Sequence, residues 1–440
     1  MVETVDIKKP ELLAPAGDLT RLSYALAYGA DAVYAGQPAF SLRARENGFK
    51  NLDDLAAGVA LCRKLDRKFY LASNVIPRNT KVESFQKALL AAIELKPDAL
   101  IVADPGIIGF LRREAPHQEL HLSVQANTTN WLTAKYWAEQ GIKRIILSRE
   151  LRLEEVREIR KRVPEVELEV FVHGAVCMAM SGRCMLSNWV SHRDANQGAC
   201  NNSCRMPYKL FANPEVQEDD YKAHEGSFSL RSSDKPEQAP IDLDEDSWGT
   251  YFMSSRDLCA LEAIPELMQD ELVASLKIEG RTRSVYYLSQ VVHAYRTAID
   301  SCAQGMSVPE ASRQALASTD NRGWMPGFGH KGPLPQNYEA THVASDVGCV
   351  AAQLTNFEPQ EGRYFFKVKN PFDASDAFEL LTPQGTFPCE VSGIQNAHGN
   401  TTERLHPGTE GSALFNMTKK VDSSHVFHSF LIKKKTITRI

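Results

Sequence analysis

Four cysteines within one short segment are the residues of this chain best suited to chemistry. They lie within fewer than thirty residues of one another, whereas the other five of the nine cysteines are scattered singly. Small residues surround the four, so backbone amides can approach the sulfurs closely. Thiolates beside N–H donors are the ligand set that an iron–sulfur cluster needs. The segment therefore predicts a metal centre held by Cys177, Cys184, Cys200 and Cys204.

Three kinds of centre compete for these thiols. Disulfides form in oxidising compartments, but the opening residues MVETVDIKKPELL contain no apolar targeting stretch. Structural zinc prefers closely paired cysteines, whereas six, fifteen and three residues separate these four. Ligands spread over a long loop can wrap a larger 4Fe-4S cluster, which we favour. Cys259 is the substitute ligand if Cys204 proves dispensable.

Composition limits the class of protein. The chain has 440 residues, a formal net charge of −5 and 43% hydrophobic residues, values that are ordinary for a globular protein. No apolar run approaches the length of a membrane span, so we expect a cytoplasmic protein with no membrane partner. The negative charge argues against indiscriminate coating of nucleic acid but allows a local basic surface.

The elements that must position the cysteines follow an alternating pattern. Eight short apolar runs are separated by amphipathic segments such as Leu52–Leu65 and Leu153–Arg162. This pattern predicts a parallel sheet covered by helices, and eight units suit a closed (β/α)8 TIM-like barrel. An open doubly wound sheet is the alternative. The runs are residues 11–17, 30–36, 68–74, 99–104, 120–127, 144–149, 168–174 and 274–280.

Most of these runs end in polar residues or glycine, which a barrel would gather at its C-terminal rim, where active sites lie. Because the cysteine segment follows the seventh run, we expect the metal centre at the barrel mouth.

The chain divides into a barrel, a linker and a C-terminal module. We assign residues 1–320 to the barrel. An acidic insertion at 213–248 is expected to be irregular and solvated, or else to form a lid over the mouth. Residues 321–343 are predicted to be a linker. Short alternating runs over residues 344–440 predict a small all-β barrel.

The last strand of that module is basic. Its charge predicts phosphate contacts with RNA, although a solvated edge that discourages aggregation is the simpler alternative. The residues are Lys433, Lys434, Lys435 and Arg439.

The segment EVFVHGAVCMAMSGRCMLS at Glu169–Ser187 resembles the signature of the collagenase-like peptidase family U-32. The opening ELLAPAGDLTRLSYALAYGADAVYAG, the SVQANTTN run and LKIEGRTRS resemble that family too. The resemblance implies a 4Fe-4S cluster, as in some members. In the branch with a C-terminal β module it implies prephenate-dependent conversion of the tRNA wobble uridine to 5-hydroxyuridine. Hydroxylation of rRNA or of a quinone is the activity of other branches.

That resemblance also implies partners and raises an alternative. The anticodon loop of tRNA, prephenate as co-substrate or precursor, and an electron donor or partner protein would be required. The peptidase name finds no support in an HExxH or GxSxG motif. A Cys177–His173 thiol dyad is conceivable, but a cysteine committed to a cluster cannot attack peptides.

Charged residues near the strand ends are candidates for binding and catalysis. Prephenate carries two carboxylates, so its site should contain guanidinium groups. Lys277 and Glu279 are predicted to point into the barrel and to be catalytic, since buried charges are costly unless paired or functional. The alternatives are surface salt bridges for the arginines and loop support for the amides. The substrate-binding candidates are Arg43, Arg45, Arg149, Arg281, Gln125 and Asn127.

Overall fold

The fold is described from a computed structural model of the whole chain. The described residues are 8–206, 228–230, 241–246, 249–251, 254–328, 348–417 and 422–434. Lys435 and Arg439 of the predicted RNA-binding strand lie outside them, as do residues 329–343 of the predicted linker.

Eight parallel strands form a closed barrel, which confirms the predicted (β/α)8 architecture. Neighbouring strands pair in chain order, and the last strand closes the ring by pairing with both the first and the seventh. The strands are nearly all buried because helices cover their outer face. They are β1 (Glu11–Ala16), β2 (Ala32–Gly36), β3 (Lys68–Ala72), β4 (Ala99–Val102), β5 (Leu120–Leu122), β6 (Arg144–Ile146), β7 (Glu167–Gly174) and, as the eighth, β12 (Ser275–Ile278).

Helices follow the barrel strands and begin at polar capping residues. The Asp18 carboxylate accepts a hydrogen bond from the Arg21 backbone N–H at 2.7 Å, and the Asn130 side chain caps the fifth helix in the same way. The helices are α1 (Leu19–Ala27), α2 (Leu52–Lys64), α3 (Asn79–Ile93), α4 (Pro105–Glu114), α5 (Trp131–Glu139), α6 (Leu153–Arg162), α7 (Leu186–Ser191), α8 (Ile264–Met268), α9 (Val285–Ala303) and α10 (Glu310–Ala317).

Part of the acidic insertion has regular structure, contrary to our expectation of an irregular segment. The strands β8 (Phe228–Leu230), β9 (Ile241–Asp246) and β10 (Gly249–Tyr251) form an antiparallel sheet. Its central strand begins IDLD, in which apolar and acidic residues alternate with the period typical of a strand, a signal that the overall acidity of the segment obscured.

Two further short strands extend the barrel sheet beyond β7. The strand β11 (Asp257–Cys259) pairs antiparallel with the end of β7, and β13 (Trp324–Met325) pairs with β11. The first residues of the predicted linker therefore pack on the barrel.

The predicted small β module is a closed six-stranded antiparallel barrel. Its strand order is β14-β15-β20-β18-β17-β21, and closure leaves none of these strands as a free edge. A separate pair, β16 with β19, covers one end. The strands are β14 (Gly348–Glu358), β15 (Arg363–Val368), β16 (Phe372–Asp373), β17 (Phe378–Thr382), β18 (Gly385–Asn396), β19 (Arg404–Leu405), β20 (Glu410–Met417) and β21 (Phe430–Lys434).

The two barrels share an interface on the α1 side of the larger one. The hydroxyl of Tyr24 donates to the Phe427 carbonyl oxygen at 2.7 Å, and that of Tyr28 donates to the His428 carbonyl oxygen at 2.8 Å. Phe430 packs into the core of the large barrel. No helix in the described part of the chain is both long and apolar enough to cross a membrane.

Candidate active site at the barrel mouth

A cavity of about 380 Å³ opens at the C-terminal ends of the barrel strands. Its floor is apolar and is formed by side chains such as Ile101, Ile146 and Phe171, which belong to three different strands. Charged and polar groups from the rim loops surround this floor. A mostly apolar pocket with a few convergent polar groups is the usual form of a small-molecule site, and this end of an α/β barrel is its usual place.

All four predicted ligand cysteines line this cavity. Each of the nine cysteines is a free thiol, so none is committed to a disulfide. Cys259 lies elsewhere, on β11 opposite the end of β7, where its sulfur is 4.0 Å from the Tyr295 hydroxyl. The structure therefore brings together Cys177, Cys184, Cys200 and Cys204, and it leaves Cys259 out of the cavity wall.

Ser181 fastens the cysteine loop (residues 175–206) to the barrel rim. Its backbone N–H donates to the Glu150 carboxylate at 2.8 Å, and its hydroxyl donates to the Asn127 side-chain oxygen at 2.6 Å. The Gln125 amide donates to the Ser181 carbonyl oxygen at 3.1 Å. Gln125 lines the cavity and Asn127 does not. Both predicted substrate contacts thus support the loop, which is the alternative that the sequence left open.

A hydrogen-bond donor and an arginine lie close to Cys200. The Asn202 backbone N–H points at its Sγ atom at 3.4 Å, and the Asn202 side chain accepts a hydrogen bond from Arg43 at 3.0 Å. Burial disfavours the charge on Arg43, but the nearby Cys200 and Glu279 outweigh that cost and raise its pKa. Gly198 lets the cysteine loop pack closely against the segment that carries Arg43. It has φ of +79°, and a Cβ atom there would lie 2.6 Å from the Ser41 carbonyl oxygen.

The four thiols form a donor set that a metal cluster could use. Among the described residues, no three His, Cys, Asp or Glu side chains form a group that could hold one metal ion. Here the four thiols surround a shared cavity, with an N–H donor at one sulfur and a guanidinium nearby. That donor set suits a 4Fe-4S cluster.

Three of the four predicted arginines line the cavity. The guanidinium of Arg149 lies 3.6 Å from the centroid of the Phe171 ring and 3.3 Å from the Glu279 carboxylate. Arg281 donates to the Leu42 carbonyl oxygen, and burial lowers its pKa. Arg43, Arg149 and Arg281 therefore line the cavity. Arg45 is exposed and does not line it.

Gly36 makes room for one of these guanidinium groups. A Cβ atom at this position would lie 2.1 Å from the Arg281 Nη1 atom, closer than any real contact. The last residue of β2 is therefore glycine because the arginine side chain passes directly over it.

Lys277 lies at the bottom of the cavity in a buried ion-pair network. Its ammonium is 2.7 Å from Glu169 and 4.2 Å from the centroid of the Tyr34 ring. Glu169 is also 3.4 Å from Arg144, which binds Glu11 at 2.6 Å. Burial lowers the pKa of Lys277, whereas Lys277 and Arg144 overcome burial and hold the pKa of Glu169 below its usual range.

Glu169 and Arg144 belong to this network, although only Lys277 and Glu279 are predicted from the sequence. Glu279 follows β12 and pairs with Arg149 at the rim, and it is half-buried. The ammonium of Lys277 instead pairs across the β7–β12 contact, where Lys277 lies opposite Phe171 in register. The sequence contained one signal for this pair: Glu169 is a charged residue within an otherwise apolar predicted strand. A buried carboxylate is unstable without a cation, so a cationic partner could have been expected.

A larger cavity of about 680 Å³ lies at the opposite end of the barrel. It is lined by cations and carboxylates that already pair with one another, such as Lys8 with Glu271 and Arg296 with Asp31. It contains none of the four clustered thiols and offers little uncompensated charge, so the mouth is the stronger candidate site.

The structure gives no support to a Cys177–His173 dyad. His173 is fully buried among Tyr287, Tyr295 and Trp324, and burial lowers its pKa to about 3. It does not line the cavity that Cys177 lines. A general base must reach the proton that it removes, and this imidazole faces the Tyr295 hydroxyl instead, at 3.4 Å.

The basic strand of the small barrel is partly neutralised. Lys433 forms a 2.7 Å salt bridge with Asp376, and Lys434 forms a 2.5 Å salt bridge with Glu379. Both lysines lie on β21, which is hydrogen-bonded on both sides. The strand is therefore not an edge, and its described lysines already have acidic partners.

The chain is a two-barrel protein: an α/β barrel, with four thiols and five arginines around the cavity at its mouth, is joined to a small β barrel. Residues 17–338 match the model of peptidase family U32, and residues 348–424 match the model of the U32 C-terminal domain. The chain belongs to peptidase family U32.

Relatives of similar length share most of the chain. The tRNA hydroxylation protein P of Haemophilus influenzae is 42% identical over 419 residues, which cover 90% of this chain and 90% of that protein. The tRNA hydroxylation protein P of Escherichia coli is 41% identical over 415 residues, with 89% and 90% coverage. That of Helicobacter pylori is 35% identical, with 85% and 84% coverage.

Proposed function

We propose that this protein is an RNA-modifying enzyme that hydroxylates the wobble uridine of tRNA to 5-hydroxyuridine in a prephenate-dependent reaction. The similarity to tRNA hydroxylation proteins over about 90% of the chain supports the reaction class. The observation that carries the finer proposal is the joint lining of one cavity by four free thiols and five arginines, among them Arg43, Arg149 and Arg281. The protein would act in the cytoplasm, where tRNA is found.

The arginines supply a site for a small dicarboxylate such as prephenate. Arg43, Arg149 and Arg281 approach the cavity from three different loops. Guanidinium groups bind carboxylates through paired hydrogen bonds, and a mostly buried site strengthens that attraction. Glu279 pairs with Arg149 at 3.3 Å, so it would compete with the ligand for that group and release it on binding. Arg45, which is exposed, would contact a ligand only as it enters.

The apolar floor suits a nucleobase that has left the RNA stack. Enzymes that modify a base draw it into a closed pocket, and apolar or aromatic side chains hold its faces. Ile101, Ile146 and Phe171 offer such a surface. Lys277 lies beneath it, with its ammonium fixed by Glu169. Chemistry at C5 of uracil changes the charge on O4, and this ammonium could donate a hydrogen bond there.

The four cysteines would hold a 4Fe-4S cluster beside the bound base. Cys177, Cys184, Cys200 and Cys204 are the ligands, and Arg43 and the Asn202 N–H stabilise negative charge on the sulfurs. When bound, such a cluster supplies one-electron transfer or a Lewis-acidic iron. An external electron donor or partner protein would complete the system.

The competing function is peptide cleavage, which the family name suggests. His173 is not placed to activate Cys177, because it is buried away from the cavity that Cys177 lines. The proposal also differs from hydroxylation of rRNA or of a quinone, which the same pocket chemistry would allow.

Nucleoside mass spectrometry of tRNA tests the proposal. Cells that lack this protein and any redundant pathway should lose 5-hydroxyuridine and its derivatives from tRNA. Wild-type protein and the Cys259→Ala variant should restore them, and Cys177→Ala should not, because Cys177 lines the cavity and Cys259 does not. Unchanged 5-hydroxyuridine in the deleted strain would refute the tRNA function, and a gelatin digest by the purified protein would favour the peptidase.

A further inference from the structure

We propose that Trp189 is a stacking platform for an unpaired base of the RNA loop, next to the base that enters the cavity. The inference rests on the proposed function and adds a binding site to it. The platform belongs to an exposed apolar surface on the cysteine loop, which we name the Trp189 patch. It consists of Met178, Met180, Met185, Trp189, Val190 and Met206.

Trp189 is far more exposed to solvent than a large apolar side chain with no binding role needs to be. The side chain is 82% exposed, and Met185, one turn earlier and joined to it by a helical hydrogen bond, is 66% exposed. Single exposed apolar residues are ordinary, but six exposed apolar side chains on one loop of about thirty residues are a concentration typical of an interaction site. Burying a tryptophan would stabilise the chain, so leaving it in water indicates a partner.

The patch adjoins the cavity mouth. Met178 lines the cavity and is also exposed, and Leu186, on the same short helix α7 as Trp189, lines the cavity too. A base that enters the cavity leaves its chain neighbours over the surface immediately outside. Trp189 lies on that surface, where a neighbouring base would find an aromatic face.

Charge on the loop selects RNA over an apolar protein partner. Three arginines and one aspartate lie between Cys177 and Met206, in a chain whose net charge is −5. The aspartate, Asp194, forms a 2.8 Å salt bridge with Arg78. Arg183 and Arg193 are exposed, and neither forms a salt bridge with any residue that the structure describes. Two free cations flanking an aromatic side chain are the pattern that binds single-stranded RNA.

The platform is held in place before RNA arrives. The Ser187 hydroxyl accepts from the Asn201 backbone N–H at 3.1 Å, and the Asn201 side chain donates to Ser191 at 2.7 Å. These bonds tie both ends of α7 to the residue that follows Cys200. The position of Trp189 is therefore coupled to the position of Cys200, so binding of an RNA loop to Trp189 would affect the segment that carries the thiols.

Anaerobic binding measurements with an anticodon stem-loop that carries a wobble uridine test this inference. Trp189→Ala should weaken binding by on the order of tenfold, and Trp189→Phe should retain most of the affinity, because a phenyl ring still stacks. The matched control is Tyr136→Ala, an exposed aromatic residue on α5, which should bind as the wild type does. Arg183→Gln with Arg193→Gln should reduce the salt dependence by about 0.7 in slope per lost phosphate contact.

Stem-loop binding should also quench the fluorescence of the wild type more than that of Trp189→Phe. Iron content and cluster absorbance of each variant, unchanged from the wild type, would show that the loop is intact. If Trp189→Ala binds the stem-loop as tightly as the wild type does, the platform is refuted while the proposed tRNA function stands. If the wild type binds no stem-loop, or binds a fully paired stem equally well, the RNA assignment of the patch is refuted and a protein partner takes its place. Loss of 5-hydroxyuridine in deleted cells, measured separately, decides the proposed function itself.

Discussion

Replacing Lys277 with methionine should destabilise the barrel, because it leaves the buried Glu169 carboxylate without its nearest cation. The two groups are 2.7 Å apart, and both side chains are almost wholly buried. Removing one member of such a pair typically costs about 3–5 kcal/mol in the free energy of unfolding. Arg144 remains 3.4 Å from Glu169, so we expect the lower end, about 3 kcal/mol.

The cost should depend on pH in a defined direction. In the wild type the folded-state pKa of Glu169 is depressed, so its contribution to stability is present above the unfolded pKa of about 4.3 and is lost as the pH falls through the lower folded value. Without Lys277 the pKa of Glu169 rises, because burial is then opposed by Arg144 alone. Protonation relieves the unpaired charge, so the difference from the wild type should be largest near neutral pH and shrink in acid.

A second substitution separates the ion pair from general packing damage. The double variant Lys277→Met with Glu169→Gln removes both charges, and it should recover most of the lost stability, to within about 1 kcal/mol of the wild type. Urea unfolding followed by tryptophan fluorescence gives the three free energies. A single variant as stable as the wild type, or a double variant no more stable than the single one, would refute the reasoning. The stable double variant should still fail to form 5-hydroxyuridine if Lys277 acts on the base.

Two further predictions concern the basic strand and a buried histidine. Replacing Lys433 and Lys434 with glutamine should change the salt dependence of tRNA binding by less than one unit of slope, because Asp376 and Glu379 already neutralise them; a larger change would show that both lysines contact phosphates. Burial lowers the pKa of His173 to about 3, so the unfolded chain binds a proton that the folded chain does not between about pH 6.5 and 3, and stability rises with pH there. Between pH 7 and pH 5 this site should cost the wild type about 2 kcal/mol, a loss that urea unfolding of His173→Phe should not show; an equal loss in both proteins would place the titration elsewhere.

The barrel could be predicted from the sequence because its strands are buried on both faces. The predicted run 68–74 contains β3, the run 99–104 contains β4, and the predicted helix Leu153–Arg162 coincides with α6. Continuous apolar runs and capped amphipathic helices are local signals, so each could be recognised without knowledge of its neighbours. The short alternating runs of the small barrel are local signals too, and they also predicted strands correctly.

Features that depend on contacts between distant residues could not be predicted. Nothing in the sequence shows that Glu169 pairs with Lys277, since the contact arises from the register of two strands more than 100 residues apart. The acidic partners of Lys433 and Lys434 lie on other parts of the small barrel for the same reason. The short strand β11 has three residues and therefore no measurable period. The thiols were found from spacing, whereas the loop-supporting role of Asn127 required the position of Ser181.

The central claim, that four cysteines at the barrel mouth hold a 4Fe-4S cluster, is tested most directly by the iron and acid-labile sulfide content of the anaerobically purified protein. We predict about four iron and four sulfide per chain and a brown, oxygen-sensitive absorption band. The content should fall sharply in Cys184→Ala and stay unchanged in Cys259→Ala, because Cys184 lines the cavity and Cys259 does not. A protein that binds one zinc ion and no iron under these conditions would contradict the claim.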